Sequence, residues 1–200
     1  GEGGAVAFKD NGMRQRAEII RNHGIDHSTS SNITVNTLPV GQWSYFMQDP
    51  SLNFRIPDIL CALGINQLRK LDTWIERRSE IYSIYKECLG DLEHVSFIKT
   101  ADWAKPAWHL AAMHVDFHSI KKTKYHFFEE LEAAGIKSQV HYQPVHLQPY
   151  WVKRYGHFDL SGASSYFNGA LSLPLFVGLQ NEDVNFVVQN LRLCITRRHR

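Results

Sequence analysis

The densest concentration of polar and aromatic side chains lies at residues 141–151, with the sequence HYQPVHLQPYW. Its imidazole, amide and phenol groups are donors and acceptors that can hold a phosphate or the hydroxyl groups of a sugar. Pro144 and Pro149 restrict the backbone and stiffen the segment. Rigid aromatic segments also occur as ordinary packing, so these residues alone leave a binding role and a structural role equally open.

A second candidate, Asn53-Phe54-Arg55, stands directly ahead of the longest predicted helix. An amide and a guanidinium beside a helix N-terminus suit an oxyanion such as a phosphate. Taken by themselves, the same residues are interpreted more simply as a capping asparagine followed by a surface arginine.

The 11 histidines raise the question of a metal site. No HExxH motif is present, and no carboxylate is paired with a histidine at a ligand spacing. His109, His114 and His118 lie in or beside one predicted strand, but alternate strand positions face opposite sides, so His109 cannot join the other two. A proline separates His141 from His146. We therefore expect surface, core or substrate-contacting histidines and no metal site.

The opening GEGG (residues 1–4) precedes a short apolar run rather than a helix. A phosphate-binding loop of the P-loop or Rossmann type needs both a different glycine spacing and a strand-to-helix context. The cluster therefore indicates a turn in which the backbone passes close to another part of the molecule.

Composition excludes several classes of protein. The 22 lysines and arginines nearly balance the 20 acidic residues, which argues against a general binder of nucleic acid or of membrane surfaces. No apolar run reaches the roughly 20 residues that a membrane-spanning helix needs. Cys61, Cys88 and Cys194 are widely spaced and never form a CxxC pair, so a disulfide framework is not expected. The cysteines predict a reducing compartment, and we expect a cytoplasmic protein.

The first half of the chain is predicted to be mainly helical. Ala5–Phe8 predicts a short strand, and a helix is predicted over 13–22. Residues 25–50 lack periodicity, and so long an irregular stretch inside a domain is usually functional. A long apolar-periodic segment follows Pro57, and its length predicts a kink or break near Leu71-Asp72. Gly64 within it indicates close backbone packing.

The second half alternates short strands and helices. Strands are predicted over 95–98, 108–117 and 138–142, and helices over 125–134 and 166–170. Asn181 is predicted to cap a final helix, whose buried stripe consists of Val184, Val187, Val188 and Leu191. This order predicts a two- or three-stranded antiparallel sheet covered by helices.

The motifs taken in order resemble the C-terminal half of the DegT/DnrJ/StrS sugar aminotransferases, which are pyridoxal-phosphate enzymes of fold type I. The resemblance extends over nearly the whole chain. It rests on GEGGAV (1–6), RNHGI (21–25), NFR (53–55), DI (58–59), ALG (62–64), QL (67–68), KLD (70–72), IERR (75–78), AWHL (107–110), VHY (140–142), PVHLQPY (144–150) and LSLPL (171–175).

The resemblance implies an α/β fold class whose part represented here is α+β. The implied architecture is the C-terminal small domain of a fold-type I transferase, a short antiparallel sheet covered by helices, joined to a remnant of the large domain. Residues 1–24 would be the trailing edge of the large, cofactor-binding domain and 25–52 a loop at the active site and dimer interface. Residues 53–75 would form the connecting helix and 76–200 the small domain.

The resemblance also implies an activity. Family members transfer an amino group, usually from glutamate, to a keto-sugar carried on a nucleoside diphosphate, for cell-surface polysaccharide or glycan sugars. The cofactor is pyridoxal 5′-phosphate, held as a Schiff base by a lysine in a K-x-x-T-T motif ahead of the GEGG turn. That lysine would lie upstream of Gly1, since Lys9, Lys70 and Lys105 are not in the motif's position. We therefore expect no transaminase activity, and no catalytic residue, in this chain alone.

The matching positions suggest site residues in a homodimer with shared active sites. Asn53 matches the asparagine that reaches the cofactor phosphate of the neighbouring subunit, and Arg55 adjoins it. The preceding Leu52 departs from the tyrosine usual there. The residues implied in substrate binding are His141, Tyr142 and His146 in the small domain, and Trp43 and Tyr45 in the long loop.

Three other hypotheses remain open from the sequence. One is a sugar dehydratase of the same family, in which a histidine replaces the lysine; the discriminating residue would lie upstream. Another is a non-catalytic binding or regulatory module that keeps the fold. The last is a metal-binding module. In none of these do we expect a nucleic-acid or membrane partner.

Overall fold

The structure is a computed structural model that describes residues 3–27 and 43–197. It divides into two compact units, Gly1–Arg69 and Lys70–Arg200, which are treated separately below. Part of the opening glycine cluster, the middle of the predicted 25–52 loop and the last three residues lie outside the described residues. The four domain boundaries suggested by the sequence stay predictions.

The first unit begins with helix α1 (Asn11–Arg21), which confirms the helix predicted over 13–22. Asp10 caps it by accepting a hydrogen bond from the backbone N–H of Met13 at 2.7 Å. The strand predicted at Ala5–Phe8 is wrong, because the segment pairs with no strand among the described residues and its backbone is irregular. An apolar run without a partner cannot complete a β-ladder.

The predicted irregular loop is ordered at both of its described ends. Strand β1 (Ile25–Asp26) pairs antiparallel with strand β2 (Phe46–Met47), with Ile25 opposite Met47. Gly24 makes the entry to β1 with a φ of +71°, a backbone conformation that glycine adopts without strain. The remainder of that loop, residues 28–42, belongs to the part of the chain without description.

Helix α2 (Asp58–Leu89) is continuous over 32 residues. The helix is not broken near Leu71-Asp72, because no proline interrupts it and every backbone position there stays helical; the alternative prediction of a kink there stays a prediction. The close packing predicted at Gly64 is also absent from the described residues, where a Cβ would meet nothing within 4 Å. The helix begins in the first unit and ends in the second, where its last three turns enter the core.

The second unit contains a three-stranded antiparallel sheet in the order β3 (Val95–Phe97), β4 (Ala111–Val115) and β5 (Ala170–Leu173). The predicted antiparallel sheet is therefore confirmed, and two of its three predicted strands are present in shortened form. The third, over 138–142, is wrong and reduces to one bridge between Gln139 and Ser172. Strand β5, which carries Ser172, occupies the edge next to β4 instead.

Five helical segments follow β4 or β5 in the second unit. They are α3 (Lys124–Ala133), a 3₁₀ turn (Val145–Leu147), α4 (Pro149–Tyr155), α5 (Ser161–Gly169) and α6 (Asn181–Thr196). The core includes Ile81, Tyr85, Leu89, Met113, Val115, Phe127, Leu131, Leu171, Val184 and Leu191. All four residues of the predicted α6 stripe are buried. The predicted cap is displaced by one residue, because Gln180 is the N-cap and donates its backbone N–H to Asp183 Oδ2 at 3.3 Å.

Lys124, at the start of α3, should titrate in an accessible pH range. Its Nζ donates to the backbone carbonyl of Phe167 and lies 4.4 Å from the centroid of the Phe167 ring. Burial lowers the pKa of Lys124 to about 8. Below pH 8 the buried ammonium of Lys124 destabilises the folded state. Because the unfolded chain keeps this proton up to about pH 10.4, the free energy of unfolding increases as the pH rises from about 8 to about 10.4.

Trace acetylation read by mass spectrometry should therefore show half-maximal reactivity of Lys124 near pH 8. Lys124→Arg should remove the associated gain in stability above that pH. If the acetylation of Lys124 depended on pH in the same way as that of a fully exposed lysine side chain, the burial of Lys124 would be contradicted.

Candidate functional site

The Asn53 loop is fastened to the C-terminal end of α1. The backbone N–H of Phe54 donates to the carbonyl of Arg21 at 3.0 Å, and that of His23 donates to the carbonyl of Leu52, also at 3.0 Å. A backbone bridge joins Asn22 to Asn53. These contacts place the predicted Asn53 and Arg55 together on one exposed edge of the first unit.

The side chains of this edge leave donors available. Asn53 Oδ1 accepts the backbone N–H of Arg55 at 3.1 Å, and its amide nitrogen has no recorded partner among the described residues. The Arg55 guanidinium donates to Asn22 Oδ1 through Nη1, which holds the charged group in place. An amide N–H and a fixed guanidinium form a donor set that suits a phosphate.

A cavity of about 580 Å³ is lined by Asn22 and Arg55, but not by Asn53. Its charged lining consists of Arg14, Arg21 and Arg55 together with Glu18 and Asp26. His27 also lines it, with one ring nitrogen 3.4 Å from Asn22 Nδ2. The Tyr45 ring lies beside that of His27, with centroids 5.5 Å apart. Tyr45 therefore packs against a residue that lines the cavity but does not line it itself. Trp43 is 75% exposed, and its ring packs against no other aromatic ring of the described residues.

The second group of predicted residues lies in the other unit, around β5. Gln139 and Ser172 exchange backbone hydrogen bonds at 3.2 and 2.7 Å, which brings the following residue pair, Val140 and His141, alongside the strand. His141 Nδ1 lies 2.8 Å from the hydroxyl of Ser172. Since that hydroxyl belongs to a residue only 6% exposed, it holds the imidazole in one orientation.

Tyr142 and His146 are placed differently from His141. Tyr142 is 73% exposed, and its ring meets the His141 ring edge-on with centroids 4.7 Å apart. His146 is buried within the 3₁₀ turn, at 9% exposure. Of these three residues, His141 alone lines the nearby cavity.

That cavity has a volume of about 290 Å³ and contains residues to which the sequence assigned no role. The polar ones are Arg78, His109, Lys137, Gln139 and Ser172. Arg78 belongs to the IERR motif and Ser172 to the LSLPL motif, so the motifs could have marked both residues as candidates for the site. Lys137 stands in none of the motifs, and only the fold brings it here.

Several contacts set the walls of this cavity. Arg78 Nη1 donates to the carbonyls of Trp108 and His109, both at 3.2 Å. The hydroxyl of Tyr85 donates to the carbonyl of Pro174 at 3.0 Å, and burial raises the pKa of Tyr85 well above its usual range. Tyr85 therefore remains a neutral donor that fixes the end of β5.

The histidines considered for a metal do not gather into a ligand set. Across residues 3–27 and 43–197, no group of three or more histidine, cysteine, aspartate or glutamate side chains is placed to hold a metal ion. Nor does any helix of these residues have the length and apolar character needed to cross a bilayer.

The family model described as the DegT/DnrJ/EryC1/StrS aminotransferase family matches residues 1–192. The chain belongs to this family. Among curated relatives, a UDP-4-amino-4,6-dideoxy-N-acetyl-beta-L-altrosamine transaminase of Campylobacter jejuni (strain 81-176) is 33% identical over 190 residues. That match covers 95% of this chain and 47% of the relative.

Another curated relative is the spore coat polysaccharide biosynthesis protein SpsC of Bacillus subtilis, which is 29% identical over 195 residues. The match covers 96% of this chain and 49% of SpsC. The chain therefore spans about half the length of the curated relatives that it matches.

Solved structures of aminotransferases share the fold. The putative sugar aminotransferase Spr1654 of Streptococcus pneumoniae, in its PLP form, matches with a TM-score of 0.79 at 22% identity, covering 96% of this chain and 46% of that one. Helicobacter pylori PseC, an aminotransferase of pseudoaminic acid biosynthesis, matches with a TM-score of 0.78 at 22% identity, covering 93% and 47%. The fold-type I class expected from the sequence is confirmed.

Proposed function

We propose that this chain is the C-terminal part of a pyridoxal-phosphate-dependent nucleotide-sugar aminotransferase. Such an enzyme moves the amino group of glutamate to a keto-sugar on a nucleoside diphosphate, for polysaccharide or glycan sugars. The observation that carries the proposal is the family match over residues 1–192. The transaminase of a UDP-linked amino sugar in C. jejuni supports the substrate class.

The donors at Asn53 and Arg55 fit the phosphate of the cofactor. Pyridoxal 5′-phosphate supplies the electron sink that amino transfer needs, and this chain's share would be to hold its phosphate. Asn53 has an amide N–H to offer, and Arg55 is fixed by Asn22. We propose that the cofactor so held belongs to the neighbouring subunit of a homodimer, as the family resemblance implies.

The nucleotide sugar would contact the aromatic residues predicted from the sequence. Trp43, Tyr45 and Tyr142 are exposed, so their rings are available to a base or a sugar face. His141 has a fixed ring and can donate to substrate oxygens. Because His146 is buried, its proposed contribution is to hold the 3₁₀ turn that follows His141 and Tyr142 in the chain.

We place the enzyme in the cytoplasm. All three cysteines are free thiols in the structure, in keeping with a reducing compartment. Glutamate and nucleotide sugars are charged and strongly hydrated, so an enzyme that uses both is most simply placed where they are made.

The test uses the native polypeptide that contains this chain, captured from its source cells with an antibody raised against residues 43–197. With pyridoxal phosphate, glutamate and a UDP- or dTDP-linked keto-sugar, it should form one 2-oxoglutarate for each amino sugar. Deoxygenation of the sugar without amino transfer would indicate the dehydratase. Tight sugar-nucleotide binding by a polypeptide that never turns over would indicate the non-catalytic module.

In the same enzyme, Asn53→Ala should raise the concentration of pyridoxal phosphate needed for half-maximal activity by about tenfold, because a hydrogen bond to a charged group contributes about 1.5–3 kcal/mol. Asn66→Ala is the matched control, since Asn66 lies in α2 and has no recorded side-chain contact with a described residue. Equal cofactor requirements in the two variants would remove Asn53 from the phosphate site.

A further inference from the structure

Another cavity of the second unit, called the α6 cavity below, involves none of the candidate site residues. It has a volume of about 470 Å³ and shares no lining residue with the cavity that His141 lines. Three segments that are distant in the sequence form it, residues 92–94 ahead of β3, 119–121 after β4 and 195–197 at the end of α6. The fold alone therefore creates this space.

The basic groups of the α6 cavity have donors to offer. Lys121 and Arg197 line it, and neither side chain has a recorded hydrogen bond or ion pair with a described residue. His94 also lines the cavity, and its Nε2 lies 4.0 Å from Glu93 Oε2. The Glu93 side chain is 90% exposed, so water screens its negative charge. The balance of the lining therefore favours an anion.

An apolar surface lies beside these basic groups. Leu92 and Ile120 pack against the core and also line the cavity, and Ile195 is 8% exposed. Ligand pockets typically combine such an apolar lining with a few converging polar groups, within roughly 300–1,000 Å³. At about 470 Å³, the space is larger than an inorganic anion needs. The lining therefore fits an anionic group that is attached to an apolar part.

The backbone of Lys121 is strained. Its φ is +57°, a left-handed conformation that is unfavourable for a residue with a Cβ and that glycine adopts freely. The turn is held by backbone groups, since the N–H groups of Lys121 and Lys122 donate to the carbonyls of His118 and Phe117, both at 3.0 Å. The lysine side chain takes no part in these bonds. Strained residues concentrate at ligand-binding sites, and the Lys121 side chain serves the cavity rather than the turn.

The charge and number of the donors favour phosphate over carboxylate. A phosphate group on an organic molecule carries a charge of about −1.5 to −2 at pH 7 and has three strong acceptor oxygens. These match the two permanent cations and the one imidazole of the lining. A carboxylate has two oxygens and a single charge, so it would leave one cation of the lining without a partner.

We propose that the α6 cavity binds a small phosphate monoester with an apolar part, at a site separate from that of amino transfer. Lys121, Arg197 and His94 donate to the phosphate, while the three apolar side chains of the lining contact the remainder of the ligand. The proposal does not depend on the proposed function, because none of the residues assigned to cofactor or substrate lines this cavity.

Calorimetry with phenyl phosphate tests the two parts of this ligand. The protein is the full polypeptide that contains this chain, saturated with pyridoxal phosphate so that the cofactor's own site is filled. Phenyl phosphate should bind at least tenfold more tightly than inorganic phosphate, which lacks the apolar part. Phenol, which lacks the charge, should show no measurable binding. If either fragment binds as tightly as phenyl phosphate, the proposal is overturned.

Two charge-removing variants locate the binding. Lys121→Gln and Arg197→Gln should each weaken the binding of phenyl phosphate by about tenfold, the effect of losing one hydrogen bond to a charged group. Lys99→Gln is the matched control and should bind as the wild type does, since Lys99 is exposed and lies outside the cavity. Equal affinity in all four proteins, or an equal loss in the control, overturns the proposal.

Lys121→Gly separates a binding role of this side chain from a structural one. Because glycine adopts the left-handed conformation without strain, the urea midpoint of Lys121→Gly should be at least as high as that of the wild type. Its affinity for phenyl phosphate should nevertheless fall by about tenfold or more. A lowered midpoint would mean that the lysine serves the fold, and this result, like an unchanged affinity, overturns the proposal.

Discussion

Gly24→Ala is expected to separate strands β1 and β2. Gly24 has a φ of +71°, and a Cβ there would lie 1.7 Å from the carbonyl oxygen of Asp49. Asp49 cannot simply retreat, because the neighbouring Gln48 N–H donates to the Gly24 carbonyl at 2.7 Å and Arg16 forms an ion pair with Asp49. An L-residue in this left-handed conformation costs about 1–2 kcal/mol even without a clash.

The measurement is hydrogen exchange of the Gln48 amide. A loss of about 2 kcal/mol or more corresponds to an exchange rate at least about 30-fold faster where exchange proceeds through local opening. Gly64→Ala is the matched control, since a Cβ at Gly64 meets nothing within 4 Å and alanine stabilises a helix interior by about 0.5–1 kcal/mol. Unchanged protection of Gln48 in Gly24→Ala would show that the two segments are not held together as described.

Glu130→Gln is expected to destabilise the second unit by about 3–5 kcal/mol. Lys122 Nζ donates to both carboxylate oxygens of Glu130, at 2.9 and 2.6 Å, and to the carbonyl of Cys194 at 2.7 Å. The Lys122 side chain is 1% exposed and that of Glu130 is 27% exposed. Removing the carboxylate charge leaves a buried ammonium without its counter-ion, which is the costly outcome for a buried pair.

Urea denaturation followed by circular dichroism measures this loss. The double replacement Lys122→Met with Glu130→Leu should recover most of it, because exchanging a whole buried pair for apolar groups is often neutral. Glu80→Gln is the control: Glu80 pairs with Arg77 at 2.6 Å but is 53% exposed, so its replacement should cost less than about 1 kcal/mol. Equal effects at Glu130 and Glu80 would contradict the burial of the Lys122 pair.

Sequence patterns predicted elements where one face is buried and the signal is local. The α6 stripe repeats at three- and four-residue steps, as a helix with one apolar face must. Strand β5 lacked such a signal, because all four of its residues are buried and a strand covered on both sides shows no alternation. The apolar run at Ala5–Phe8 had the composition of a strand but no partner in the described chain.

Some residues of the candidate site could likewise be identified from the sequence, and others could not. Asn53 and Arg55 are adjacent in sequence, and the structure keeps them on one edge through contacts with the end of α1. His141 was found because it stands in a dense polar segment. Lys137 carried no local signal, since nothing in its neighbours distinguishes it from other surface lysines, and it joins the cavity only through the fold.

The amino-acid sequence by itself determined the helical periods, the order of motifs and the family to which they belong, because each depends on residues close together in the chain. The tertiary structure alone decided which distant groups share a space. It brings Lys122 to the carbonyl of Cys194 across 72 positions, and Arg78 beside His141. Burial and charge at such places depend on every element packed around them, and that environment is not contained in any short stretch of sequence.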